Sequence, residues 1–225
     1  TGLTEKQAKD AGYDVEKVYT FSASHASYYP GAKNMSIKTI FDRVTGTVLG
    51  AQIVGYDGVD KRVDVMAVAI RAGMTVEDLS ELELSYAPPY SSAKDPVNYA
   101  GFVATNLISG LVKQYHWDEL DAKVADPNIT VVDLRTVAEY ANQHIEGPLH
   151  IPVDELRDRL SEIPKDKPVA IFCHSGLRSY IGYRILAQNG YDCSHMAGGF
   201  RFYASVVKDL TIGSPEDYPC GIKSS

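Results

Sequence analysis

Val169-Ala170-Ile171-Phe172-Cys173-His174-Ser175-Gly176-Leu177-Arg178-Ser179 runs four apolar residues into a thiol, then into a glycine and a fixed cation. Residues 169–172, following Pro168, have the pattern of a strand buried on both faces of a parallel sheet. Residues 178–188 read as a helix closed by Asn189-Gly190. Cys173 therefore falls at the carboxyl end of a strand, where open α/β sheets bind ligands. A loop entering a helix aims backbone N–H groups at one point and adds the positive end of the helix dipole. That setting favours the thiolate form of a cysteine. Gly176 permits the tight backbone path, and Arg178 returns positive charge to the same cradle. The expectation is a nucleophilic cysteine in an anion-binding loop. The competing reading is an inert, buried thiol.

The loop places four residues between Cys173 and Arg178, with Gly176 third after the cysteine. In this it resembles the active-site loop of the rhodaneses, the thiosulfate and persulfide sulfurtransferases. The resemblance implies that Cys173 carries a persulfide and that Arg178 acts beside it. It also implies that His174, Ser175, Gly176, Leu177 and Ser179 form the sulfur-binding loop. His174 and Ser175 are read either as aids to donor binding or as solvated loop residues. Cysteine phosphatases and arsenate reductases have a similar loop with five intervening residues. The tighter spacing here suits sulfur better than a tetrahedral phosphate. A non-catalytic rhodanese-fold module is the other alternative, and the presence of Cys173 argues against it.

The flanking sequence alternates strands and short helices. Residues 130–134 are β-branched and end in Asp133-Leu134-Arg135; residues 137–142 read as a helix. Residues 144–152 give a turn and a short strand, 153–160 a helix, and 191–196 another strand. Gly198-Gly199-Phe200 then precedes a final helix to about residue 210. The order predicts an α/β domain, residues 111–225, with a mainly parallel sheet and helices on both faces. The rhodanese resemblance extends over residues 114–210. Asp133 and Arg135 either orient Arg178 or the loop, or form a structural ion pair.

Residues 1–110 are predicted to be a separate α+β domain. Thr4 and Gln7 make a capping box for a helix that stops near Gly12. A strand is hinted at over 15–20, and residues 37–43 and 47–54 read as a hairpin around Thr45-Gly46. Helices are predicted over 60–72, 75–82 and 97–107. Three stretches carry a second resemblance: His25-Ala26-Ser27-Tyr28-Tyr29-Pro30-Gly31, Gly58-Val59-Asp60-Lys61-Arg62-Val63-Asp64-Val65, and residues 86–96. They resemble the dimerisation domain of flavin-dependent pyridine nucleotide-disulfide oxidoreductases, in the branch of coenzyme A-disulfide reductases, NADH oxidases and persulfide reductases. This implies a homodimer through residues 1–110, with Tyr28 and Tyr86 entering the partner's thiol site. Tyr29 and Tyr90 are the alternates, and interface packing is the competing reading for all four. Lys61 and Arg62 open a helix and read as a solvated face, or as a contact for an acidic partner.

The net charge of −7 and the lack of a long basic run exclude nucleic acid as an expected partner. No apolar stretch approaches the ~18 residues of a membrane helix, so no membrane association is expected. Three cysteines without metal-binding spacing suit a reducing compartment, read as cytoplasmic, and no metal site is expected. Cys193 reads as a core residue and Cys220 as a tail thiol, each an alternative resolving cysteine for Cys173. No G-x-G-x-x-G occurs in the 225 residues, so no cofactor is expected in this chain. The resemblance implies FAD, NADH and coenzyme A for a full-length protein with FAD and NAD domains preceding Thr1. The expected substrate is a small thiol or sulfane-sulfur compound.

Overall fold

Two sheets organise the chain. The structure, a computed structural model, describes residues 1–211; Cys220 lies outside them. The first domain begins with α1 (Glu5–Asp10), β1 (Val15–Ala23), β2 (Asn34–Asp42) and β3 (Val48–Gly55). The strands form an antiparallel sheet in the order β1-β2-β3. The β2–β3 turn is fixed by Asp42, whose carboxylate accepts from the Val44 and Thr45 amides at 3.0 and 2.8 Å. α2 (Val59–Arg71), α3 (Val76–Glu81) and α4 (Pro96–Ile108) complete the domain. Met66 and Ala69 of α2 and Val97 and Ala104 of α4 share one buried core with Val18, Phe41, Val48 and Ala51 of the sheet. Three helices start as capping rules predict, on Thr4, Thr75 and Asp95.

Arg62 departs from the sequence expectation. It is 1% exposed. Its guanidinium donates to the Asp95 carboxylate at 2.9 Å and to the Ser24 and Gly58 carbonyls at 2.8 and 3.1 Å. It is thus neither on a solvated face nor available to an acidic partner. It ties the starts of α2 and α4 to the end of β1. The partners needed for that role lie 33 and 38 residues away, beyond any local pattern.

The second domain contains β4 (Gln114–Tyr115), α5 (Leu120–Ala125), β5 (Thr130–Asp133), α6 (Val137–Asn142) and β6 (Leu149–His150). β7 (Val169–Phe172), α7 (Leu177–Gln188), β8 (Cys193–Met196) and α8 (Gly199–Thr211) follow. The sheet order is β4-β8-β7-β5-β6, with every pairing parallel. Alternate residues of β7 enter different cores. Val169 and Ile171 pack with Val132, Ile185 and Leu186, whereas Ala170 and Phe172 pack with Tyr115, Met196 and Phe200. This is the two-sided burial that the apolar run required.

One predicted helix is absent. Residues 153–159 form successive turns, followed by a single 3-10 turn at Leu160–Glu162. Val153, Leu156 and Leu160 have helical spacing. Yet only Leu156 is fully buried, and the backbone bonds Glu155 to Pro152 and Asp158 to Glu155 are those of turns. Anchoring of one side chain in the core outweighs a helix too short to propagate.

The two domains touch. Gln114 Nε2 donates to the Lys17 carbonyl at 2.8 Å, and His116 Nε2 lies 3.4 Å from Glu16. The Tyr19 and Phe202 rings pack 4.2 Å apart, and the Arg201 guanidinium lies over Phe21.

Candidate active site

Cys173 follows directly on β7 and is fully buried. The Gly176 amide donates to its Sγ at 3.1 Å. Gly176 is the N-cap of α7 with φ +113°, a conformation that only glycine adopts freely. The helix therefore begins at Leu177, one residue earlier than its sequence suggests. Ser179 is buried on the first turn of α7, with Oγ 3.5 Å from Cys173 Sγ, 2.9 Å from the Gly176 carbonyl and 3.3 Å from His195 Nδ1.

A second turn holds the loop from behind. The Phe200 amide donates to the Cys173 carbonyl at 2.7 Å, and the Arg201 amide to the His174 carbonyl at 2.8 Å. That approach requires Gly199: a Cβ there would stand 2.7 Å from both carbonyl oxygens. The Gly198-Gly199 pair is thus a structural part of the loop's support.

Arg178 has a partner that the sequence did not reveal. Its guanidinium forms two 2.7 Å hydrogen bonds with Glu139, so its charge is committed to a partner on α6. Arg178 holds the Glu139 carboxyl down to about 2. The pairing in turn pushes Arg178 up, and Cys173 is among the charges acting on it. His174, nearly half exposed, lies 3.9 Å from Glu139, and partial burial lowers its proton affinity. Leu177 and Ser175 are at the surface of the loop; Leu177 is largely exposed.

Asp133 and Arg135 are joined to each other, with Arg135 Nε 3.0 Å from both carboxylate oxygens and Nη2 2.6 Å from Oδ2. Both are buried, and the Arg135 guanidinium stacks on Phe200 at 3.9 Å. No hydrogen bond links them to Arg178 among the described residues; they form an ion pair with each other, and Arg135 reaches the loop through Phe200. Cys193 cannot serve as a resolving thiol in this fold. It pairs in register with Val169, four residues before Cys173. That is about 13 Å along the strand, far beyond disulfide reach. Burial pushes its thiol up to about 11.

Two residues absent from the sequence-based set sit here, Glu139 and His195. Glu139 reads as a capping-box residue with Thr136, which it also is. His195 is a polar side chain on a buried parallel strand, and that mismatch was the available signal. Beside the loop, a cavity of about 420 Å³ separates the domains, lined by Phe21, Tyr99 and Phe102 on one side and Gly176, Leu177 and His195 on the other.

In the first domain, the structure brings Tyr28 and Tyr86 together. Their hydroxyls are 2.6 Å apart across 58 residues of sequence, and the side chains are 74% and 47% exposed. The hydrogen bond shared with Tyr86, which holds the Tyr28 proton, raises the Tyr28 hydroxyl above its ordinary value. Tyr29 packs edge-on against His25, and Tyr90 is exposed. Among the described residues no three metal-binding side chains cluster, and no helix is long and apolar enough to cross a membrane.

Both parts of the chain are similar to known proteins. Residues 1–96 match the pyridine nucleotide-disulphide oxidoreductase dimerisation domain, and residues 116–205 match the rhodanese-like domain. The chain thus joins an oxidoreductase dimerisation domain to a rhodanese-like domain. Over 93% of its length it is similar to the solved structure of reduced Bacillus anthracis CoADR-RHD, with 47% identity and a TM-score of 0.89. It is also similar to an NAD-dependent persulfide reductase from A. fulgidus, with 41% identity over 90% of its length and a TM-score of 0.81. The chain spans only 37% and 36% of those two proteins. The coenzyme A disulfide reductase of Staphylococcus haemolyticus is 43% identical over 95 residues, 42% of this chain and 22% of that protein.

Proposed function

We propose that the second domain transfers sulfane sulfur through a persulfide on Cys173, within a larger coenzyme A-disulfide or persulfide reductase. The observation that carries this reading is the Gly176 amide donating to a thiol held between the end of β7 and the start of α7. The Cys173 thiolate attacks the outer sulfur of a donor. A bond forms from Sγ to that sulfur, the donor's S–S bond breaks, and its electron pair leaves with the remaining thiolate or sulfite. An acceptor thiolate then attacks the outer sulfur and returns the electron pair to Sγ. The Gly176 amide and the helix terminus favour the anionic sulfur in both steps. Arg178, fixed by Glu139, supplies positive potential at the loop.

The first domain mediates a two-fold homodimer in this reading, with the Tyr28–Tyr86 pair bordering the partner's thiol site. No G-x-G-x-x-G occurs in the sequence, and no step here is routed through FAD or NADH. In this reading FAD, NADH and coenzyme A serve the larger reductase, of whose relatives this chain spans 37% and 36%.

The experiment is cyanolysis. The chain loaded with thiosulfate should release thiocyanate, and Cys173→Ser should release none while folding normally. Thiocyanate formation by Cys173→Ser, or hydrolysis of p-nitrophenyl phosphate by the parent chain, would overturn the assignment. A parent chain that takes up no sulfur would point to a non-catalytic module.

A further inference from the structure

We propose that His195, acting through Ser179, places a switchable hydrogen bond on the Cys173 sulfur, making both positioning residues for sulfur transfer. The inference rests on the persulfide reading of Cys173.

The argument is a count of protons. Ser179 Oγ carries one proton and has three neighbours within hydrogen-bond range: the Gly176 carbonyl, Cys173 Sγ and His195 Nδ1. A carbonyl only accepts. While the sulfur is a thiol, Ser179 gives its proton to Gly176, and the S–H is donated to Oγ. The remaining lone pair of Oγ then faces His195 Nδ1. A bare nitrogen there would leave two buried acceptors opposed, so the inventory selects the tautomer with the proton on Nδ1. Ser179 is then fully satisfied, with two bonds accepted and one donated.

Ionising the sulfur changes the count. The thiolate has lost its proton and becomes the strongest acceptor near Oγ. The hydroxyl turns from the Gly176 carbonyl to the sulfur, while Nδ1–H continues to donate to Oγ. The chain becomes His195 Nδ1–H to Ser179 Oγ–H to Cys173 S⁻, beside the bond from the Gly176 amide. Without His195 both lone pairs of the turned hydroxyl would be buried and unpaired, where His195 leaves only one.

This acts where sulfur leaves. An acceptor thiolate RS⁻ attacks the outer sulfur of Cys173–S–SH. The new bond gives R–S–SH, the proton stays on the outer sulfur, and the broken S–S bond leaves its electron pair on Sγ. Negative charge appears on Sγ in that step, and the Ser179 hydroxyl turns to meet it. His195 takes up no proton. It is 6% exposed, and burial keeps it neutral by pushing it down to about 4.

The fold explains how these residues meet. His195 pairs in register with Ile171 on the adjacent parallel strand, two residues before Cys173, so it shares a face with the sulfur. Ser179 lies one turn into α7, directly after Arg178.

The test compares His195→Asn, His195→Gln and Ser179→Ala in thiosulfate:cyanide turnover by the same chain. An asparagine amide nitrogen occupies the place of Nδ1, whereas a glutamine amide reaches only toward Nε2. Turnover should fall about 10- to 100-fold in Ser179→Ala and His195→Gln, the scale of a lost hydrogen bond to a charged group. It should fall in kcat with KM for thiosulfate unchanged, and His195→Asn should restore it close to the parent rate. Equal turnover in the Asn and Gln variants, whether high or low, would overturn the proposal. So would a parent rate in Ser179→Ala. Should Ser179→Ala fail to fold, the Asn and Gln pair decides alone. A parent chain that forms no thiocyanate would instead remove the persulfide reading, and this inference with it.

Discussion

Acidification provides a direct physical test of the buried histidine. His195 is held down to about 4 in the folded chain, against an ordinary value of 6.5, by burial alone. Between those values the unfolded chain binds a proton that the folded chain refuses, so stability falls as pH falls. Above 6.5 the full contribution is present. The linkage amounts to about 2 kcal/mol lost by pH 5 and about 3 kcal/mol by pH 4. The carboxylates act lower. Glu139, held at about 2 against 4.5, contributes stability above 4.5 that is lost as pH falls through 2. The window from 6.5 to 4.5 therefore belongs to histidine. His174 is also lowered and acts in the same direction, but its exposure makes its share small. Urea unfolding followed by tryptophan fluorescence isolates the right domain, because the chain's single tryptophan is Trp117. The parent should lose about 2 kcal/mol between pH 7 and pH 5, and His195→Asn should lose little. Parallel losses in the two proteins would refute a buried neutral His195.

Arg178→Ala and Glu139→Ala should each slow cyanolysis, by about 100-fold if the guanidinium serves as an oxyanion-type donor. The double variant should be no slower than Arg178→Ala, since the pair acts as one unit; additive losses would show that Glu139 does something else. Arg62→Met should destabilise the first domain by roughly 3–5 kcal/mol, because Asp95 is left buried without its partner. A urea midpoint near the parent's would contradict that. The chain should sediment as a dimer at micromolar concentration, and a clean monomer would count against dimerisation through residues 1–110.

Much of this fold was legible in the sequence because its signals are local. The capping boxes at Thr4 and Thr75, the Thr45-Gly46 turn and the apolar run before Cys173 each concern residues within a few positions of one another. Their elements lie where the patterns placed them, within one to three residues. The turns over 153–159 were misread because helical spacing says nothing about which side chains the core will admit. Cys173, Gly176, Arg178 and Ser179 were legible as a loop. Their partners were not: Glu139 meets Arg178 across 39 residues, and His195 meets Ser179 across 16. Arg62 failed for the same reason. A basic residue in a first helical turn looks solvated until Asp95 and the Ser24 carbonyl arrive from elsewhere in the chain.

The join between the domains explains why the Gly198-Gly199 turn carries more than its own bend. On one side, the amides that follow it hold the Cys173 and His174 carbonyls. On the other, Phe202 packs on Tyr19, and Arg201 lies over Phe21, both on β1. A Cβ at Gly198 would meet Tyr19 at 3.2 Å, while a Cβ at Gly199 would meet the loop carbonyls at 2.7 Å. A Cβ at Gly198 would also meet Phe202 Cβ at 3.0 Å, so Gly198 is confined by α8 and by β1 together. Because packed elements transmit displacement rather than absorb it, a shift of β1 acts on the start of α8. The start of α8 is bonded to the backbone of Cys173 and His174. The α8 start that holds the loop backbone is thus the same segment that packs on β1 of the first domain.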